Sequence, residues 1–112
     1  MRLTEVQARN KGAEMLRMME GNGWTLQVHW NFGWHYSVHK GCISVYPSSF
    51  GDKITYHCLL SDNPKHVGTG LAYLSDNKVR YKTPMEAVEG QRQVAKEKVV
   101  KLVEAMVLSF NY

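Results

Sequence analysis

The sequence predicts an α+β protein: a two-layer sandwich with an N-terminal helix, an antiparallel meander of four to six strands and a long C-terminal helix, α-β(n)-α. Three observations predict it. A capping-box pattern near each end opens a stretch whose apolar residues recur at helical spacing. Between these stretches the period drops to two. Short turns rich in Gly, Asn and Pro separate the period-two runs. At 112 residues the chain has room for one core, so a single domain over residues 1–112 is expected.

Thr4-Glu5-Val6-Gln7 has the S/T-x-x-E/Q form of a capping box, and a helix follows. Val6, Ala13, Leu16 and Met19 fall near one face of it, with Met15 beside them. Gly21-Asn22-Gly23 tolerates positive φ and ends it. From Trp24 the alternation assigns two faces. Trp24, Leu26, Val28, Trp30, Trp34, Tyr36 and Val38 share one; Thr25, Gln27, His29, His35, Ser37 and His39 share the other. Asn31-Phe32-Gly33 joins the two runs as a three-residue hairpin loop.

His39-Lys40-Gly41 marks a second turn into a strand at CISVY, with Ile43 and Val45 facing the core. After an expected loop over Pro47-Ser-Ser-Phe-Gly-Asp, KITYHCLL alternates again, placing Ile54, Tyr56, Cys58 and Leu60 inward and Thr55 and His57 outward. Ser61 to Gly70 is the longest non-periodic stretch; two short strands, Leu71 to Leu74 and Lys78 to Lys82, are expected after it. Thr83-Pro84-Met85-Glu86 combines an N-cap Thr, Pro at the first helical position and a capping-box Glu. The helix it opens should run to about Leu108. Its apolar residues broaden from Val99 onward, which predicts deeper burial of the C-terminal half.

Composition bounds the function. With 44% hydrophobic and 21% charged residues the chain is globular in type. Charges interrupt the N-terminal apolar residues, so no signal peptide is expected, and no stretch reaches the roughly 20 apolar residues of a membrane span. Two cysteines, Cys42 and Cys58, without CxxC spacing fit a reducing cytoplasm. The net charge is +4, and three of the four excess charges lie between residues 21 and 82.

Each candidate site has a plainer alternative. His29, His35, His39 and His57 share the polar face, a ligand set for Zn²⁺ in outline, but no HxH or HExxH spacing fixes two of them on one element. Half-exposed histidines paired with Thr and Ser across strands are the simpler reading. Cys58 follows His57 directly, but strand neighbours point to opposite faces, so no nucleophile-base pair follows from adjacency. The tryptophans are in phase with aliphatic residues and read as core, not as stacking platforms for single-stranded nucleic acid. No cofactor, metal or catalytic group is expected, and the chain reads as a non-enzyme.

The segment QVAKEKVVKLVEAM and the helix-strands-helix order resemble double-stranded-RNA-binding domains. That resemblance implies phosphate recognition by basic residues at the start of the second helix, where this chain has Glu86 and Glu89. The better basic candidates are Lys78, Arg80 and Lys82, a lysine-guarded edge, with Lys96, Lys98 and Lys101 on the helix.

The expected function is therefore that of a small non-catalytic module that docks onto a protein through an open sheet face of Gln27, His29, His35, Ser37, His39 and His57. Chains of this size without cofactor motifs are common among phage and mobile-element accessory proteins, including inhibitors of bacterial defence systems. RNA or DNA binding through the basic edge is the alternative. No membrane partner is expected, and the Lys78 to Lys82 edge would also admit a second copy of the chain.

Overall fold

The computed structural model describes residues 2–50, 52–60, 76 and 78–110. Helix α1 (Glu5–Arg17) is followed by strands β1 (Thr25–Trp30), β2 (Trp34–Lys40), β3 (Ile43–Phe50) and β4 (Lys53–Leu60), then by helix α2 (Pro84–Phe110). The four strands form one antiparallel sheet in the order β1-β2-β3-β4. This is the α+β sandwich the sequence predicts, with four strands where double-stranded-RNA-binding domains have three.

Both helix starts follow the local chemistry. Gln7 N–H donates to Thr4 Oγ1 (3.1 Å) and Thr4 N–H donates to Gln7 Oε1 (2.9 Å), so the capping box is complete. Glu86 N–H donates to Thr83 Oγ1 (3.2 Å) at the start of α2. The buried stripe of α1 differs from the expected one. Ala8, Gly12 and Met15 face the sheet, while Val6 is 67% exposed. The cause is close approach: a Cβ at Gly12 would lie 2.5 Å from Leu26 Cδ1 and 3.3 Å from Tyr36 Cβ. Contact is centred on the two small residues, and the larger Leu16 and Met19 flank it.

The sheet consists of two long hairpins joined by a short ladder. β1 and β2 pair from Thr25↔His39 to Trp30↔Trp34, and β3 and β4 pair over their whole length from Ile43↔Leu60 to Phe50↔Lys53. Between β2 and β3 only Val38↔Val45, His39↔Ser44 and Lys40↔Ile43 are paired. Pro47 accounts for the stop. Tyr56 exchanges both backbone hydrogen bonds with Tyr81 (2.9 and 2.8 Å), so its N–H and C=O point away from β3. Its partner across the strands, Pro47, must then direct its own backbone toward β2, and proline has no N–H to offer there. Continued in register, the residue opposite it would be Tyr36. The ladder ends one step earlier, and the hairpins part.

Helix α1 packs on β1 and β2, and α2 packs on β4 and β3. The core joins the two halves through Val38 and Val45, both 0% exposed, with Met15, Tyr36 and Ala8 on one side and Tyr56, Cys58, Ala87 and Val88 on the other. Burial of the Cys58 thiol pushes its pKa up to about 12, which leaves it a small core residue and not a nucleophile. Cys42 lies in the turn before β3 and not in a strand.

Four further expectations are corrected. Pro47 to Phe50, expected in a loop, continue β3 and pair with β4. Among the described side chains of α2, the fully buried ones lie in its first two turns, Pro84, Ala87, Val88 and Gln91, whereas Val99, Val100 and Val103, expected inside, are about half exposed. Lys78 to Lys82 makes a single bridge to β4, Tyr56↔Tyr81, and no extended strand. Ile54 is 40% exposed near the far end of β4. The expected loop from Ser61 to Gly70 and strand at Leu71 to Leu74 lie outside the described residues.

Candidate functional site

The face assigned to polar residues is not uniformly open. Gln27, His29 and His35 are exposed, whereas Ser37 (1% exposed) and His39 (8%) are buried and leave the docking surface. Chain geometry explains this. Ser37 Oγ lies 2.7 Å from His39 Nε2, and His39 Nδ1 lies 3.0 Å from Ser44 Oγ. The imidazole thus spends both nitrogens on hydroxyls that sit one strand step away on β2 and directly across on β3. Tyr46 stands edge-on to His39 (6.0 Å between rings) and stacks on His57 (5.4 Å). A buried polar group is tolerated when its partners are complete, and here they are.

Burial, and then the neighbouring His29, lower the His39 pKa; burial, and then Arg80, lower that of His57. His57 is half-buried, and its Nδ1 is enclosed without a hydrogen-bond partner among the described residues. Ser37, His39 and Ser44 have the connectivity of a nucleophile and its base, but both hydroxyls are at 1% exposure and no substrate can reach them. Among the described residues no three His, Cys, Asp or Glu side chains gather as metal ligands.

What the hairpin does expose is aromatic. Trp30 and Trp34 face each other as the last pair of β1 and β2, edge to face at 5.6 Å. Trp34 is partly buried against the core, but Trp30 is 61% exposed, which corrects its assignment to the interior. Alternation gives the direction of the Trp30 side chain and not what covers it. Phe32, in the connecting loop, is 86% exposed and has φ 55, a left-handed conformation that Gly or Asn would take with less strain. Asn31 N–H donates to the Gly33 carbonyl (2.8 Å), and His35 Nε2 lies 2.9 Å from the Asn31 carbonyl, so the loop is held from within. His29 and His35 stack at 5.6 Å just behind it. Trp24, by contrast, donates its indole N–H to the Glu20 carbonyl (3.0 Å) under the Lys40 ammonium.

Beside this tip the parted hairpins enclose a cavity of about 570 Å³. Its walls include Trp34, Tyr36 and Pro47 from the helix-covered face and His29, His35 and Tyr46 from the opposite face. A space bordered by both faces exists only where a sheet is open. Comparison with protein-family models, curated proteins and solved structures found no match in any of the three.

The basic candidates are exposed but dispersed. Lys78, Arg80 and Lys82 lie along the bridge beside β4. On α2, Lys96 and Lys101 border one shallow surface together with Glu97 and Glu104, so carboxylates interrupt the positive charge. Lys98 is likewise exposed on this helix. No described helix is long and apolar enough to cross a membrane. Sequence reasoning missed Phe32 because it sat in a loop, outside the period-two count. The signal was its own type: a large aromatic where hairpin loops favour Asn or Gly.

Proposed function

We propose that the protein is a docking module for another protein, with the β1-β2 hairpin tip as its contact surface. The observation that carries this reading is the exposure of Trp30, the last residue of β1, and of Phe32 in the internally hydrogen-bonded loop after it, with Phe32 held in a strained conformation. Aromatic anchors of this kind dominate protein interfaces, and backbone strain persists where function requires a particular side chain. His29, His35 and Gln27 continue the surface along the outer face. On this reading Ser37 and His39 support the site from beneath and His57 only borders it.

The test is affinity capture from bacterial lysate after nuclease treatment, comparing the wild-type chain with a Trp30→Ala, Phe32→Asn double variant. One protein retained by the wild type and lost by the double variant is the expected outcome. If the finer expectation of a phage-borne inhibitor is right, that protein belongs to a bacterial defence system. Capture that disappears with nuclease, falls steeply with salt and is abolished by Arg80→Glu, Lys82→Glu would instead establish the nucleic-acid alternative.

A further inference from the structure

We infer that the split between β2 and β3 is a receptor for an extended, acidic segment of the docked protein, which pairs with the open strand edges. The inference rests on the docking reading above and specifies what enters beside the hairpin tip.

Strand parity places the N–H and C=O groups of Val38 toward Val45, and those of Tyr36 and Trp34 on the same side two and four residues earlier. Across the gap, Pro47 and Ser49 direct their backbone groups toward β2 by the same count. Neither set pairs with the other, since the ladder stops at Val38↔Val45. Two strand edges therefore face each other across a cavity and await a chain between them. Edges of this kind bind extended peptides by strand addition, in which main-chain hydrogen bonds supply affinity and alternate side chains supply selectivity.

The lining sets the charge of the occupant. Lys11 of α1 and the imidazoles of His29 and His35 border the space, and no carboxylate does among the described residues. Glu14 acts electrostatically on Tyr36 but is not part of the walls. The Arg2 side chain lies beside Gly33 at the mouth. Carboxylates at successive positions of an inserted strand project to opposite faces, so one would meet Lys11 on one face of the sheet and the next the histidine pair on the other.

The probe is a fluorescein-labelled seven-residue peptide, Thr-Glu-Glu-Thr-Glu-Glu-Thr, which offers carboxylates to both faces; it is titrated into the purified full chain and followed by fluorescence anisotropy. Saturable binding is expected, weakened by about ten-fold or more when Lys replaces each Glu, when alternate amides are N-methylated, or when Lys11 is changed to Glu. Pro47→Val supplies the missing donor opposite Tyr36 and should close the split, weakening the peptide while the melting temperature holds or rises. No saturable binding, or binding indifferent to N-methylation, would overturn the inference. So would a preference for the Lys peptide. The two readings separate in the capture experiment. Partner retention by Pro47→Val with loss in the tip variant would remove strand insertion and leave tip docking; retention by both would remove both.

Discussion

At the level of single residues, the two most informative side chains behave oppositely to their surroundings. His39 is polar and buried, with a hydroxyl on each ring nitrogen, so the folded protein keeps its imidazole neutral more readily than the unfolded chain does. Tyr46 packs beside it and stacks on His57, and burial first, then His29 beside His39 and Arg80 beside His57, lowers both histidine pKa values from the usual 6.5. The unfolded chain therefore binds protons first as pH falls. Stability from these groups is complete above about pH 6.5, declines below it and is fully lost once the folded pKa is passed. Urea denaturation between pH 7.5 and 5 should show that decline, with a shallower slope for His39→Gln; an equal slope would disprove the assignment. Phe32 is apolar, exposed and held at positive φ. Phe32→Asn should keep stability or raise it by up to about 1 kcal/mol, because Asn tolerates the left-handed region, while partner capture is lost. A variant clearly less stable than the wild type would mean that the ring packs in the free protein.

At the level of elements, a single glycine shows where a propensity argument stops. Gly90 lies inside α2, where Ala would ordinarily be better by about 1 kcal/mol. Here the Tyr81 ring rests directly on it, leaving no room for a Cβ. The next residue, Gln91, is fully buried; it donates to the Tyr81 hydroxyl (3.1 Å) and accepts from Asp76 N–H (2.6 Å). Tyr81 in turn bridges to Tyr56 and occupies part of the edge of β4. Gly90→Ala should thus destabilise by about 1–3 kcal/mol in urea denaturation and not stabilise, the cost of overpacking. The helix starts at Thr4 and Thr83, the three-residue hairpin loop and the inward residues of β2, of the first half of β3 and of β4 from Tyr56 onward were legible because each rests on chemistry within a few residues; the second half of β3 was not, because Pro47 and two serines read locally as a loop. The Gly90-Tyr81 contact, the parting of β2 from β3 and the burial of His39 were not. Each depends on which remote element lies opposite, and period-two alternation gives the direction of a side chain without saying what covers it.

At the level of the whole molecule, the distribution of the core sets the distribution of motion. The radius of gyration, 16.1 Å, exceeds the roughly 13 Å of a compact chain of this length, and the extents are 60 × 28 × 27 Å. Part of the reason is α2, whose 27 residues span about 40 Å, longer than any strand it crosses. Its first turns carry Ala87, Val88 and Gln91 into the core, while Val99, Val100 and Val103 remain about half exposed. Where the described side chains of a helix stay half exposed, burial adds little to its hydrogen bonds, and most helical stability in proteins comes from a packed face. Backbone amides near Ala87 to Gln91 should therefore exchange with solvent as slowly as those of Val38 and Val45, which report global unfolding, and protection should fall progressively beyond Val99. Hydrogen-deuterium exchange at two protein concentrations checks this. A gradient that is the same at both belongs to the single chain. Uniform protection along α2 at high concentration, lost on dilution, would instead show that the exposed valines are covered by a second copy, and the helix would then count among the interfaces of the molecule.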